Sequence, residues 1–180
     1  MNQLTKIALG FILPFAVFAH GPTPQKADES VIIPASVEKV WAVIKQFDGL
    51  NKWHPDVTGV KLENRIDAES GKEMPYRLVT LKNGTMFLEK LREANDADMK
   101  LDYKMVDGKE STIAVSNYRT VAQVKAAPTA GQSIVTLPAR FYNKANTLEA
   151  PAGADNPAAN KAINELYDAA AVGLQKALEK

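Results

Sequence analysis

Glu89 is the residue with the most chemical promise. In Phe87-Leu88-Glu89-Lys90-Leu91 the side chains alternate, so Phe87, Glu89 and Leu91 share one face of a strand. If that face is the interior, the carboxyl is desolvated and its pKa rises. It would then be a polar anchor for a ligand or a general acid/base. Trp53-His54-Pro55 is the second candidate. His54 would titrate near neutral pH, donate to a ligand, or serve as a fixed junction residue. Trp53 reads as core or pocket wall. His20 is the third: as a free N-terminus its amine and imidazole would chelate Cu(II), but the chain has only 2 His.

Other chemistries lack their residues. Cys is absent, which excludes thiolate zinc sites, thiol nucleophiles and disulfides. Asp96, Asp98 and Asp102 lack calcium-loop spacing. There is no Ser-His-Asp set and no Gly-rich phosphate loop, and no cofactor is implied. With 22 Lys and Arg against 21 Asp and Glu, the formal charge of +1 gives no footprint for nucleic acid.

The elements that must position these residues begin after an address. Ile7–Ala19 is apolar apart from Gly10 and Pro14, follows Lys6, and ends in Val17-Phe18-Ala19. Such a run is short of the roughly 20 residues that cross a bilayer. It reads as a signal peptide over 1–19, cleaved on export to the periplasm, so that no membrane association remains. Residues 20–27 read as an extended leader and 28–180 as one domain, large enough to bury about 70% of its unfolded surface without disulfides.

Within the domain, Asp28–Ile33 reads as a strand stopped by Pro34. Ser36 caps a helix whose Val37, Val40, Trp41, Ile44 and Phe47 recur on one face. Leu50–Pro55 is a turn or short helix. Strands follow at Val57–Ile66, Met74–Lys82, Thr85–Glu93, Met99–Val106, Ile113–Ala126 and Ser133–Tyr142. Asn143–Asn156 is a loop. Asn156 caps a helix over Pro157–Glu179, with Pro157 in its first position and Gly173 read as a tolerated interior glycine. The expected fold is α+β, a seven-stranded curved antiparallel sheet wrapped around the C-terminal helix. Such a wrap leaves an internal hydrophobic cavity as the default site.

Asn83-Gly84 predicts a two-residue hairpin turn, pairing Leu78 with Glu89 and Thr80 with Phe87. Tyr76, Leu78, Thr80, Phe87, Glu89 and Leu91 then form the face with fewer charges and are expected inside. Leu101, Tyr103 and Met105, and further on Val135, Leu137, Ala139 and Phe141, alternate with polar residues and are expected on the same side. The Ile113–Ala126 strand is ambiguous by pattern.

The helix Val37–Phe47, Trp53-His54-Pro55, Asn83-Gly84, Glu89-x-Leu91, Tyr103 and Asn117-Tyr118-Arg119, in this order and spacing, resemble the START-like or SRPBCC superfamily. That superfamily has the helix-grip fold of the birch pollen allergen, polyketide cyclases and abscisic acid receptors. The resemblance implies that Glu89 and Tyr118 face a pocket, and hence that Thr120, Ala122 and Val124 also face inward. Beside a ligand anchor or an acid/base group, a third reading of Glu89 then arises: a carboxyl satisfied by Tyr118, Tyr103 and buried water. The expected cavity wall is Trp53, His54, Leu78, Phe87, Glu89, Leu91, Tyr103, Met105, Tyr118, Thr120 and Leu137.

The leader His20-Gly21-Pro22-Thr23 and the Trp53-His54-Pro55 junction bring the chain nearest to the periplasmic MxaD type. Its members are thought to assist electron transfer between a quinoprotein methanol dehydrogenase and cytochrome c, and no enzymatic activity is established for them. The resemblance implies a non-catalytic accessory protein with those two partners and a small apolar ligand. The alternatives are a small polyketide cyclase-like enzyme, with Glu89, Tyr118 and His54 as acid/base groups, and a carrier of lipid or another hydrophobic ligand.

Overall fold

The computed structural model describes residues 21–179; the signal-like segment and His20 lie outside the described residues. Seven strands form one antiparallel sheet: β1 (Gln25–Ile33), β2 (Val57–Ile66), β3 (Glu73–Leu81), β4 (Met86–Asn95), β5 (Lys100–Val106), β6 (Val115–Ala126) and β7 (Ser133–Asn143). Their order across the sheet is β1-β7-β6-β5-β4-β3-β2. The meander from β2 to β7 thus ends beside β1. The helices are α1 (Val37–Ile44) and α2 (Asn156–Leu178), with a 3-10 turn at Leu50–Lys52.

Irregularities at Val57/Gly59, Leu91/Glu93 and Ser116/Arg119 interrupt the ladders. Bulges bend a strand and increase its twist, and here the sheet curls around α2. The helix buries Ile163, Tyr167, Ala170, Ala171, Gly173 and Leu174. The core between them includes Ile33, Val40, Val79, Phe87, Val115, Val135 and Phe141.

Three expectations about boundaries and register need correction. β1 begins at Gln25, paired with Phe141, so the leader is already strand from there; backbone ladder bonds form whatever the outward Lys26 and Asp28 carry. The cap of α2 is Asp155, which accepts from the Ala158 N–H at 3.0 Å, and Asn156 is the first helical residue. The β3–β4 loop is Lys82-Asn83-Gly84, not a two-residue turn. Leu81 N–H donates to the Thr85 carbonyl at 2.8 Å and Gly84, at φ +82°, donates to the Leu81 carbonyl at 2.9 Å. A three-residue loop with a left-handed glycine is the next commonest hairpin. The extra residue shifts the pairing by one, so Arg77 opposes Glu89 and Val79 opposes Phe87. Every β3 side chain is thereby on the other face from the expected one.

Gly173 is also not merely tolerated. An added Cβ would lie 2.7 Å from Pro55 Cδ, 3.2 Å from the Trp53 carbonyl carbon and closer still to the Trp53 carbonyl oxygen. The helix sits directly on the Trp53-His54-Pro55 backbone, and only glycine permits the approach.

Candidate functional site

Under α2, the concave face of the sheet carries Arg77 and Val79 from β3, Phe87 and Glu89 from β4, and Leu101, Tyr103 and Met105 from β5. β6 adds Tyr118, Thr120 and Ala122, and β7 adds Leu137. Glu89 is 1% exposed. Its Oε2 accepts from Arg77 Nε at 2.6 Å. Arg77 Nη1 donates to the Phe47 carbonyl at 2.9 Å. The guanidinium carbon lies 4.3 Å from the Phe47 ring centre and 5.0 Å from that of Tyr103, the two rings being tilted to one another. Arginine is suited to this, because its flat cation stacks on rings while its edge donates to a carboxylate. Burial still pushes the Glu89 carboxyl above its ordinary value, the Arg77 charge and hydrogen bond opposing it.

The carboxyl is therefore not held by Tyr103 and Tyr118. Tyr118 Oη lies 3.1 Å from Tyr167 Oη, and Tyr167 also bonds Thr120 Oγ1. Burial raises the Tyr118 and Tyr167 phenols well above their usual value, so they are hydroxyls, not phenolates. His54 is 3% exposed. Its Nδ1 accepts from the Asp56 N–H at 3.2 Å and Nε2 lies 3.0 Å from the Leu166 carbonyl of α2. That pattern fits the neutral tautomer with the proton on Nε2, and burial lowers the imidazole pKa.

The hollow between these groups measures about 30 Å³. It is lined by Leu50, Trp53, His54, Arg77, Phe87, Glu89, Tyr103, Tyr118, Leu137, Leu166, Tyr167 and Ala170. A second void of about 30 Å³ sits beside it, against Leu101, Ala122 and Leu174. Each has space for no more than a few waters, whereas pockets for small organic ligands run to roughly 300–1,000 Å³.

Seven of the eleven residues expected in a cavity wall line the hollow: Trp53, His54, Phe87, Glu89, Tyr103, Tyr118 and Leu137. Met105 and Thr120 are buried on the same face, and Leu91 packs half-buried against the core there. Leu78 is on the opposite face, paired with Leu88, because of the one-residue shift. Tyr76, also expected inside, likewise faces outward, where its hydroxyl donates to Asp67 at 2.9 Å beside Lys90. Thr80 follows them. Five lining residues lie outside the expected wall, Leu50, Arg77, Leu166, Tyr167 and Ala170, and two of them carry polar groups. Arg77 falls on the face of its strand that the charge count places outside, although a buried acid calls for a nearby cation. Tyr167 belongs to the buried face of α2, and its signal is that a buried phenol needs a hydroxyl partner. Among the described residues, no group of three or more His, Cys, Asp or Glu could hold a metal ion, and no helix is long and apolar enough to cross a membrane.

The family model described as polyketide cyclase / dehydrase and lipid transport matches residues 24–179. The chain belongs to that family. Its fold is shared with solved structures. XoxI from Bacillus cereus is 25% identical, covers 86% of this chain and 96% of its own, and superposes with a TM-score of 0.67. The Zhui aromatase/cyclase from Streptomyces sp. R1128 is 14% identical over 87% of this chain and 94% of its own, with a TM-score of 0.68. A START superfamily protein from Mycobacterium smegmatis is 13% identical over 86% of this chain and 97% of its own, with a TM-score of 0.63. The last two likenesses show the helix-grip fold alone. No curated protein matches the chain.

Proposed function

We propose that this polyketide cyclase-like protein is an exported, non-catalytic accessory protein that acts through its surface. On the MxaD-type resemblance, it assists electron transfer from methanol dehydrogenase to cytochrome c in the periplasm. The observation that carries the non-catalytic reading is the state of the interior. Glu89, His54 and Tyr118 line one hollow, as acid/base chemistry requires. Yet Glu89 is paired with Arg77, both imidazole nitrogens of His54 are engaged, and Tyr118 is bound to Tyr167. About 30 Å³ leaves no place for a polyketide. The test is to follow reduction of the cytochrome by the dehydrogenase with and without the purified protein. A change in rate that depends on ionic strength is expected. Identical rates at several salt concentrations would remove the accessory role.

A second reading is a carrier of a small hydrophobic ligand in the same hollow. The family description includes lipid transport, and the hollow is walled by apolar side chains around a polar end at Arg77 and Glu89. Occupancy would require α2 and the Trp53-His54 junction to move apart. Native mass spectrometry of the purified protein tests it: a co-purified mass lost on organic extraction is the expected sign, and the bare chain mass alone contradicts it.

A further inference from the structure

The outer face of the sheet carries an alignment that no single strand reveals. Lys26 of β1 opposes Arg140 of β7, Arg140 opposes Arg119 of β6, and Arg119 opposes Lys104 of β5. Four basic side chains from four adjacent strands therefore stand in one row; beyond Lys104 the same line meets Lys90 of β4, which is buried and paired with Asp67 and Glu69. At about 4.8 Å per strand the row is roughly 14 Å long. Like charges directly opposite one another repel and cost stability, so folding alone gives no reason to stack them.

Internal compensation reaches only one end of the row. Arg119 pairs with Asp102, donating from Nη2 at 2.7 Å and from Nε at 3.0 Å. Lys104 Nζ is 3.0 Å from Glu69. Lys26 and Arg140 are exposed, and neither has an ion-pair partner among the described residues. The row lies in an open groove of about 870 Å³, walled by Gly21 and Pro22 at one side and Asn146 of the β7–α2 loop at another. Among the groove's lining residues the charged ones are Lys26, Arg92, Lys104, Arg119 and Arg140, with no carboxylate.

We infer that this groove is a docking face for an acidic surface of a partner protein. The inference rests on the reading that the protein acts through its surface, and it locates that surface. A row of cations is complementary to a row of carboxylates, and such pairing steers encounter more than it tightens a complex. A base-reading role has little to work with, since Tyr142 is the one aromatic lining residue and stacking platforms need several.

The probe is an oligoglutamate peptide, titrated into the full mature chain by calorimetry at low and high salt. Oligothymidylate of matching charge and vesicles of phosphatidylglycerol serve as competing classes. Binding of the peptide, weakened by salt as expected for exposed charges, supports the inference. So does a loss of about tenfold or more in the double variant Lys26→Glu/Arg140→Glu, with no such loss in Lys39→Glu on α1. The double variant should melt no lower than the parent, because a carboxylate at position 140 turns the contact with Arg119 attractive while positions 26 and 140 stay like-charged as before; a lower melting point would mark the row as structural and overturn the inference. Absence of peptide binding, equal loss in Lys39→Glu, or tighter binding of the oligothymidylate or the vesicles would also overturn it.

The electron-transfer assay separates this inference from the proposed function. If the parent assists transfer and the double variant assists equally, the docking face is wrong and the accessory role stands. If the parent has no effect while charge-reversal-sensitive peptide binding holds, the face stands and the assigned partners fall.

Discussion

Replacing Gly173 by alanine tests how the helix meets the sheet, and the sign of the effect decides between two accounts. In an exposed helix the change should stabilise by about 1 kcal/mol, through propensity alone. Here the new methyl would sit 2.7 Å from Pro55 Cδ and 3.2 Å from the Trp53 carbonyl carbon, and closer still to its oxygen. Two of these three atoms are backbone, and the third is a proline ring carbon, so none can swing aside. Relief requires α2 or the junction to move, which also strains the bond between His54 and the Leu166 carbonyl. Overpacking of this kind costs about 1–3 kcal/mol, of which propensity returns up to about 1. Contacts this short to atoms that cannot swing aside put the cost in the upper part of that range, so the expected net loss is about 1–2 kcal/mol, or a fall in Tm of about 2–8 °C for a domain of this size. Urea and thermal unfolding followed by circular dichroism measure it, with Val172→Ala, at a neighbouring position that is 60% exposed, as the control. A Gly173→Ala protein as stable as the parent, or more so, would refute the close-packing argument.

Two further predictions concern the buried polar groups. Arg77→Met strands the Glu89 carboxyl without its cation and should cost about 3–5 kcal/mol at neutral pH. Burial then raises the Glu89 pKa further, so the folded variant binds a proton that the unfolded chain does not; its deficit relative to the parent should narrow as pH falls from about 8 to about 5. A constant deficit in urea titrations across that range would contradict it. For His54 the sign is opposite. Burial lowers its folded pKa, while the unfolded imidazole titrates near 6.5, so the unfolded chain takes the proton first. Stability present above pH of about 6.5 is therefore lost as pH falls below it, and His54→Gln should flatten this slope in melting curves even if it lowers every Tm. Equal slopes for parent and variant would sink the assignment.

The order of strands and helices was legible because it rests on local periodicity and turn chemistry. The face of β4 was legible too, since Phe87, Glu89 and Leu91 alternate with Lys90. The face of β3 was not. Counting charges placed Arg77 outside, because that count treats a cation as solvated unless its partner is known. Its partner is on the next strand, and whether the two meet depends on one residue of loop length. The Asn83-Gly84 pair signals a hairpin but leaves the loop length open, and the difference of one reverses a strand.

By itself the sequence determined a meander of strands closed by a long amphipathic helix, and a family to match, because period-two and helical patterns are properties of neighbouring residues. Tertiary structure alone decided how full the interior is, what neutralises Glu89, why position 173 is glycine, and that Lys26, Arg140, Arg119 and Lys104 form a row. Each of these depends on the distance between atoms far apart in the chain. Register, curvature and helix seating set such distances, and no local pattern of residue types encodes them.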